Sequence, residues 1–278
     1  MSRVRELTFR IANAGLIGAL SWLYRHFGIQ TTYKVGPKGA AALFEEAWFT
    51  YHPSEYGCTG NIDWAPDAEN STRHALFERV KDGQVFYDIG AHGGVYTVTL
   101  QRRFPKLKVH SFEPQPEDLL DNLALNGLMP VNVHQVAVGE TAGDVRMTTK
   151  ERSSNHVSDK GDRSVRLVRL DDYAVENNLP SPDWIKIDIE GLELPALRGA
   201  ERLLREARPT IICEINHLFG RFGTTIPDFL TFMRTLGYDA HRLRDGQLEP
   251  LPDAENFEDL GYSANWNFWF IHKDKRGM

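Results

Sequence analysis

The chain has 278 residues, enough for one large domain or for one domain of ordinary size with an extension. Hydrophobic residues make up 41% and charged residues 25%, a balance that excludes a disordered or fibrous protein and indicates a globular one with a buried core. The net charge of -6 excludes a global attraction to nucleic acid, so no nucleic-acid partner is expected.

The first 80 residues are predicted to form a largely helical extension, and residues 81–278 a separate α/β domain. The extension contains an apolar run, Ile11–Tyr24, that is shorter than the ~20 residues of a membrane-spanning helix, so no transmembrane segment is expected. The run predicts a helix packed on the protein. The alternatives are peripheral membrane contact through residues 1–25 and a targeting segment. The expected location is cytoplasmic, with or without contact at a membrane surface.

Short apolar runs separated by amphipathic segments begin at Gln84, and this alternation predicts βαβ units with a parallel sheet. The predicted strands are Val85–Tyr87, Val109–Phe112, Val131–Val133, Trp184–Ile187 and Thr210–Ile215. The predicted helices are Val95–Phe104, Pro116–Asn126, Glu193–Arg205 and Ile226–Leu236. Two further strands, Tyr238–Leu243 and Asn267–His272, follow. The polar run Lys150–Ser164 is predicted to be a mobile loop over a site.

A glycine-rich turn joins the first of these strands to the first helix. Its glycines are spaced Gly90-x-x-Gly93-Gly94, which does not fit the Gly-x-Gly-x-x-Gly fingerprint of pyrophosphate-binding dinucleotide sites. Asp88, at the end of the strand, would repel a phosphate but would suit a cationic amino group or a sulfonium. The alternative role for Asp88 is a helix N-cap.

A second acid, Glu113, ends the next predicted strand. In a βαβ unit an acid at this position can accept both ribose hydroxyls of an adenosine-containing ligand. The alternative is a solvated charge at the end of a strand. The turn and this acid together predict a site for a cationic, adenosine-containing ligand.

Five motifs follow one another between residues 83 and 215. They are Asp88-Ile-Gly-Ala-His-Gly-Gly-Val-Tyr-Thr, Phe112-Glu-Pro, Val136-Ala-Val-Gly, Arg169-Leu-Asp-Asp-Tyr and Ile185-Lys-Ile-Asp-Ile-Glu-Gly. Through these motifs the chain resembles the FkbM family of O-methyltransferases. The resemblance implies a class I methyltransferase fold, which is an α/β, Rossmann-like, doubly wound and mostly parallel seven-stranded sheet. It also implies S-adenosylmethionine as the cofactor.

The resemblance places cofactor binding in the turn, after the second strand and after the third. The positions carried over are Asp88, Gly90, Ala91, His92, Gly94, Tyr96, Glu113, Pro114 and Ala137. Asp88 and Gly90 are expected near the methionine part of the cofactor, and Glu113 on its ribose. Family members commonly have Asn where this chain has His92, and His also tolerates unusual backbone angles.

Further polar residues are expected where the fourth and fifth strands end, at the edge of a parallel sheet where ligands bind. Methyl transfer requires an acceptor oxygen whose proton is removed or polarised. We therefore predict catalytic roles for Asp188, Glu190 and His217. Alternatively, Asp188 and Glu214 are candidate ligands of Mg²⁺, which would lower the pKa of the acceptor hydroxyl.

Structural roles for these residues remain open. Asp188 could form an ion pair with Lys186, Glu190 and Glu193 could be first-turn acids of a helix, and His217 could be a cap or a core histidine.

The sequence as a whole predicts an S-adenosylmethionine-dependent methyltransferase. The resemblance implies a small-molecule or glycan acceptor, with the methyl group going to a hydroxyl of a sugar, glycolipid or secondary metabolite. The alternatives are a nucleotide-dependent oxidoreductase built on the same sheet and a non-catalytic binding module. Neither the acceptor nor the oligomeric state follows from the fold.

Overall fold

The N-terminal part of the chain contains a four-stranded antiparallel sheet. The computed structural model describes residues 32–36, 39–44, 47–52, 57–58, 66–129, 132–148, 157, 160–215, 219–251 and 267–275. The first four ranges are β1 (Thr32–Gly36), β2 (Gly39–Phe44), β3 (Ala47–His52) and β4 (Gly57–Cys58), paired in chain order. The expectation of a largely helical extension therefore does not hold for the described residues between 32 and 58, where Thr and aromatic residues favour strands. Residues 1–25, with the predicted helix or membrane contact, lie outside the described residues.

One helix, α1 (Pro66–Phe77), precedes the remaining elements. The strands after it are β5 (Val85–Ile89), β6 (Lys108–Phe112), β7 (Val133–His134), β8 (Ala137–Val138), β9 (Gly143–Met147), β10 (Arg163–Val168), β11 (Trp184–Ile187), β12 (Thr210–Glu214), β13 (Tyr238–Arg244), β14 (Gln247–Pro250) and β15 (Asn267–His272). The helices are α2 (Val95–Arg103), α3 (Glu117–Leu125), α4 (Leu170–Glu176), α5 (Glu193–Arg198), α6 (Glu201–Ala207) and α7 (Ile226–Thr235). Within these ranges, every helix falls short of the length and hydropathy that a membrane crossing needs.

Eight strands form the main sheet in the order β14-β13-β15-β12-β11-β5-β6-β7. Strands β5, β6, β7, β11 and β12 are parallel, whereas β15 runs antiparallel between β12 and β13. The chain order reverses between β5 and β11, which is the switch point where ligands bind in such sheets. Seven strands lie in the class I methyltransferase arrangement, the third being Val133–His134 where Val131–Val133 was predicted, and β14 adds an eighth at one edge.

Both faces of the main sheet are covered by helices. All five residues of β5 and all four of β11 are buried, as expected for central strands with helices on both sides. On one face the core includes Ile187, Leu197 and Phe229, and on the other Leu76 and Leu100 pack with strand residues. Helix α1 therefore packs on the main sheet. The domain boundary near residue 80 remains a prediction.

The helix predicted over residues 193–205 is in fact two helices, α5 and α6, separated at Gly199. The carbonyl of Gly199 accepts a hydrogen bond from the amide of Asp171 (3.0 Å) instead of an amide of the next helical turn. A Cβ atom at Gly199 would lie 2.0 Å from the carbonyl oxygen of Gly139. The break at Gly199 therefore lets this turn pack against the Arg-Leu-Asp-Asp-Tyr motif through Asp171 and against the Val-Ala-Val-Gly motif through Gly139.

The polar run predicted to be a mobile loop over the site is partly strand. Its end, Arg163 and Ser164, belongs to β10, which pairs with β9, and Val157 forms a bridge with Met147. Residues 150–156 and 158–159 lie outside the described residues, so a gating role for this run stays a prediction.

Asp171, in the Arg-Leu-Asp-Asp-Tyr motif, caps helix α6. The residue at the N-cap position, Ala200, has no side chain that can cap, and the Asp171 carboxylate accepts from the amides of Arg202 (3.0 Å) and Leu203 (2.8 Å) instead. Asp171 is buried. The motif thus joins α4 to α6 rather than contributing to the ligand edge of the sheet.

We expect Asp171→Ala to lower the free energy of unfolding by about 1 to 2 kcal/mol, because two amides in the first turn of α6 lose their acceptor. The neighbouring Asp172, whose side chain is 61% exposed and pairs with Arg169, is the matched control. Asp172→Ala should change stability by less than about 0.5 kcal/mol. Urea unfolding of both variants measures the difference, and equal losses would contradict the capping role.

Three polar rings, of which His110 and Tyr173 are buried and His134 is half-buried, are joined in a chain that starts in β6. Nδ1 of His110 is 3.1 Å from Nε2 of His134, and Nδ1 of His134 is 3.3 Å from the Tyr173 hydroxyl. Burial, with smaller effects of His134 and Lys108, lowers the pKa of His110 to about 4. His110 is therefore neutral in the folded protein at neutral pH.

Because the pKa of His110 is lowered, we expect this residue to make the protein less stable in acid. Between the ordinary pKa of 6.5 and about 4, the unfolded chain binds a proton at His110 that the folded chain does not. Its contribution to stability is full above pH 6.5 and is lost as the pH falls to 4, by about 3 kcal/mol in total. The free energy of unfolding of the unmodified protein, relative to that of His110→Asn, should therefore fall by about 3 kcal/mol between pH 7 and pH 4. Parallel curves would show that His110 titrates normally.

Candidate functional site

The glycine-rich turn after β5 is held by the carboxylate of Asp88. Its Oδ2 accepts from the Thr97 hydroxyl (2.6 Å) and the Thr97 amide (3.2 Å), and Thr97 Oγ1 lies 2.7 Å from Ser111 Oγ. Asp88 therefore binds an amide of the first turn of α2, as in the N-cap alternative. These hydrogen bonds go to only one of its two oxygens.

Asp88 is an acid kept in a buried position, only 2% exposed. Burial raises its pKa to about 6, although the hydrogen bonds from Thr97 and the charge of Lys186 lower it. A cationic group next to Asp88 would favour its charged form and would compensate for the lost hydration.

Two glycines of the turn are required by packing. At Gly90, with φ of +81°, a Cβ atom would lie 2.0 Å from the carbonyl oxygen of Asp188. At Gly94, with φ of +79°, it would lie 2.3 Å from Leu119 Cδ1. Gly90 therefore brings the turn against the end of β11, and its predicted position near the methionine part of the cofactor stays a prediction.

Glu113 joins the turn to the end of β6. Its Oε2 accepts from the amide of His92 (2.8 Å), and its Oε1 accepts from the amide of Gln115 (2.9 Å). Glu113 is 8% exposed, so it is not the solvated charge of the alternative interpretation. Burial raises its pKa, although the amide of Gln115 and the nearby His92 lower it. Each carboxylate oxygen can accept a further hydrogen bond from a ligand hydroxyl.

Asp188 lies at the end of β11 with its side chain 34% exposed. Its Oδ2 is 3.3 Å from Nζ of the buried Lys186, so the ion pair considered from the sequence is present. Burial acts to raise the pKa of Asp188, but the charge of Lys186 and hydrogen bonds from Glu214 and Lys186 bring it below its usual value. The structure thus brings Asp188 and Glu214, from neighbouring strands, into contact.

The turn after Asp188 depends on Glu193. Oε1 of Glu193 accepts from the amides of Ile189 (3.0 Å) and Gly191 (3.2 Å), and its Oε2 has no hydrogen-bond partner among the described residues. Burial raises the pKa of Glu193 to about 7. Glu190 has φ of +57°, a left-handed conformation that is uncommon outside glycine. Glu193 therefore positions the turn that carries Asp188 and Glu190.

Of the other predicted site residues, four lie among the described residues and one lies outside them. Ala91 and Pro114 are buried, and Ala137 begins β8 after the end of β7. The ring of Tyr96 lies 5.3 Å from Nζ of Lys186. His217 belongs to residues 216–218, which lie outside the described residues, so its catalytic role stays a prediction.

The donor set does not support a magnesium site. Asp188 and Glu214 come together, but among the described residues no group of three His, Cys, Asp or Glu side chains could hold a metal ion.

Sequence reasoning missed the residues that support the site: Thr97, Ser111 and Asn122. All three are buried polar residues. A signal was available for Asn122, because Asn122 and Asn126 are four residues apart in an otherwise amphipathic helix and so lie on one face.

A family model and several curated relatives match this chain. The family model described as "Methyltransferase FkbM domain" matches residues 88–240. The hexuronic acid methyltransferase AglP of Haloferax volcanii is 26% identical over 150 residues, covering 52% of this chain and 61% of that protein. The 31-O-demethyl-FK506 methyltransferase FkbM of Streptomyces tacrolimicus is 23% identical over 191 residues, covering 55% of this chain and 73% of that protein. The alignment thus spans less than two thirds of AglP.

Among solved structures, the chain is similar to a methyltransferase FkbM from Methylobacillus flagellatus, with 20% identity and a TM-score of 0.44. The match covers 69% of this chain and 44% of that one.

Proposed function

The chain belongs to the FkbM methyltransferase domain family, and from that premise we propose that it transfers a methyl group from S-adenosylmethionine to a hydroxyl oxygen. The observation that carries this proposal is the pair of buried acids, Asp88 and Glu113, at the ends of adjacent parallel strands. The carboxylates of Asp88 and Glu113 would repel an anionic cofactor. A cofactor with a cationic group and a ribose would suit them, because each carboxylate can accept hydrogen bonds from such groups.

The residues present suit S-adenosylmethionine. Asp88, whose pKa is raised to about 6 by burial, would accept a hydrogen bond from the cationic amino group of the methionine part. Glu113 would accept the ribose hydroxyls while it keeps its two bonds to the backbone. When bound, this cofactor supplies a methyl group on a positively charged sulfur that an oxygen nucleophile can take.

Asp188 is the residue we propose to receive the acceptor proton. It is partly exposed at the end of β11, next to the end of β5, and its pKa below the usual value keeps it ionised at neutral pH. As the methyl group would leave the sulfur of the cofactor for the acceptor oxygen, the proton of that oxygen would pass to the Asp188 carboxylate. Lys186, buried behind Asp188, fixes the orientation of that carboxylate.

The acceptor we propose is a hydroxyl of a sugar, glycolipid or secondary metabolite. The names of the relatives support this range, since one acts on a hexuronic acid and another on a demethylated FK506. Glu190, on the same turn as Asp188, is a candidate for contact with such an acceptor.

The proposal is tested by incubating the chain with S-adenosylmethionine and a panel of sugars, uronic acids and polyketide alcohols. Mass spectrometry should detect a gain of one methyl group on an acceptor, together with the demethylated cofactor. If calorimetry detects no binding of S-adenosylmethionine or S-adenosylhomocysteine, a non-catalytic module is favoured. Binding of a nicotinamide cofactor instead would favour the oxidoreductase alternative.

A further inference from the structure

Asn122 of α3 and Asn126, the C-cap residue of that helix, hold the N-terminal strand β3 by its backbone. Oδ1 of Asn126 accepts from the amide of Trp48 (2.7 Å), and Nδ2 of Asn126 donates to the carbonyl of Trp48 (2.7 Å). One turn earlier, Oδ1 of Asn122 accepts from the amide of Thr50 (2.8 Å) and from its hydroxyl (3.1 Å). The strand is thereby fixed to the helix at every second residue.

Asn122 makes one contact that Asn126 does not. Its Nδ2 donates to the carbonyl oxygen of Gly93 (2.7 Å), in the glycine-rich turn between Asp88 and α2. Asn122 is fully buried. A single side chain therefore contacts both the N-terminal strand and the turn that follows β5.

Apolar contacts also connect β3 to the glycine-rich turn. Phe49 of β3 is fully buried and packs in one cluster with Ala91 of the turn and Val95, the first residue of α2. Because Phe49 lies between Trp48 and Thr50, its side chain points to the other face of the strand from theirs. The hydrogen bonds and the apolar contacts thus fix the same strand.

We propose that Asn122 is a positioning residue for the cofactor turn, and that β3 is through it a part of the cofactor site. The proposal rests on the proposed use of S-adenosylmethionine. A ligand that binds this turn requires the backbone of residues 90–94 to have a fixed position. The hydrogen bond from Asn122 fixes the carbonyl of Gly93. Residues 47–50 lie outside the family match at 88–240, so the site is completed by a segment beyond it.

Asn126 provides a matched control, because the same residue type holds the same strand one turn further along the helix without contacting the turn. Asn122→Ala should raise the dissociation constant of S-adenosylhomocysteine at least about tenfold, since a buried carbonyl loses its donor. Asn126→Ala should raise it less than about threefold. Calorimetry with the full chain measures both, and equal effects would overturn the proposal.

Hydrogen exchange without ligand provides a readout that does not depend on the cofactor. Amides of residues 90–97 should exchange faster in Asn122→Ala than in Asn126→Ala. If the unmodified chain binds no S-adenosylhomocysteine, the proposed function fails, and this exchange comparison still decides the role of Asn122. If Asn122→Ala does not fold, Asn122→Ser is used in both measurements. Exchange at the same rate in both variants would refute the positioning role.

Discussion

Asp188→Asn should lower kcat by about 10³-fold, within the range that a general base contributes, while cofactor affinity changes less than about threefold. The substitution keeps the shape of the side chain but removes the charge that accepts the proton. The matched control is Asp183→Asn at the opposite end of β11, where the carboxylate accepts from the amide of Val85 (2.8 Å). An amide oxygen can accept the same bond, so the control should retain kcat. Single-turnover kinetics with saturating cofactor measure both variants.

A chelator distinguishes the two roles considered for Asp188. If Asp188 is a base that works without a metal, chelation leaves the unmodified enzyme active. If Asp188 and Glu214 bind a metal, chelation inhibits the enzyme and added magnesium partly restores the Asp188→Asn variant. Near-normal turnover of Asp188→Asn together with a large loss in His217→Ala would assign the proton acceptor to His217. Each variant is first shown to bind S-adenosylhomocysteine normally, because a folding defect would also lower turnover.

Glu113→Ala should weaken the binding of S-adenosylhomocysteine by about 2 to 3 kcal/mol, or roughly 30- to 150-fold. The carboxylate would accept the ribose hydroxyls, and it also holds the amides of His92 and Gln115. Its removal therefore affects both the ligand and the turn. Calorimetry at one pH measures the change.

Glu117→Ala is the control for this prediction. Glu117 lies four residues further along, in the first turn of α3, and forms an exposed ion pair with Arg163 at 2.7 Å. An exposed ion pair contributes about 0 to 1 kcal/mol to stability. The pair of Glu117 and Arg163 does not contact the glycine-rich turn. Glu117→Ala should therefore leave affinity within about threefold. A folded Glu113→Ala variant with unchanged affinity would remove Glu113 from the ribose site.

The sequence was informative where a local pattern determines the structure. The buried runs, the turn at Gly90 and the acid at Glu113 each depend on residues close together in the chain, and the strand order follows from family resemblance. The hairpin β13–β14 was also predictable, although it was missed. Its turn is Asp245-Gly246, both with positive φ, which is the commonest signal of a two-residue hairpin.

The N-terminal strands could not be predicted in the same way. Strand β3 is held by Asn122 and Asn126, which lie 72 and 78 residues away along the chain. Contacts at such separation leave no pattern within the strand itself, and local preference alone is a weak guide to strands. The break at Gly199 has the same origin, because the carbonyl of Gly139 that excludes a side chain there comes from a distant motif.

The two edges of the main sheet bear on how the protein behaves at high concentration. One edge is β7, only two residues long, and the other is β14, a Gln-Leu-Glu-Pro strand that ends in proline. Glu249 of β14 is paired with Arg242 at 2.9 Å, which places charge along that edge. Short edges with charge and proline offer few free amides and carbonyls to a second molecule. The main sheet is therefore protected against edge-to-edge aggregation.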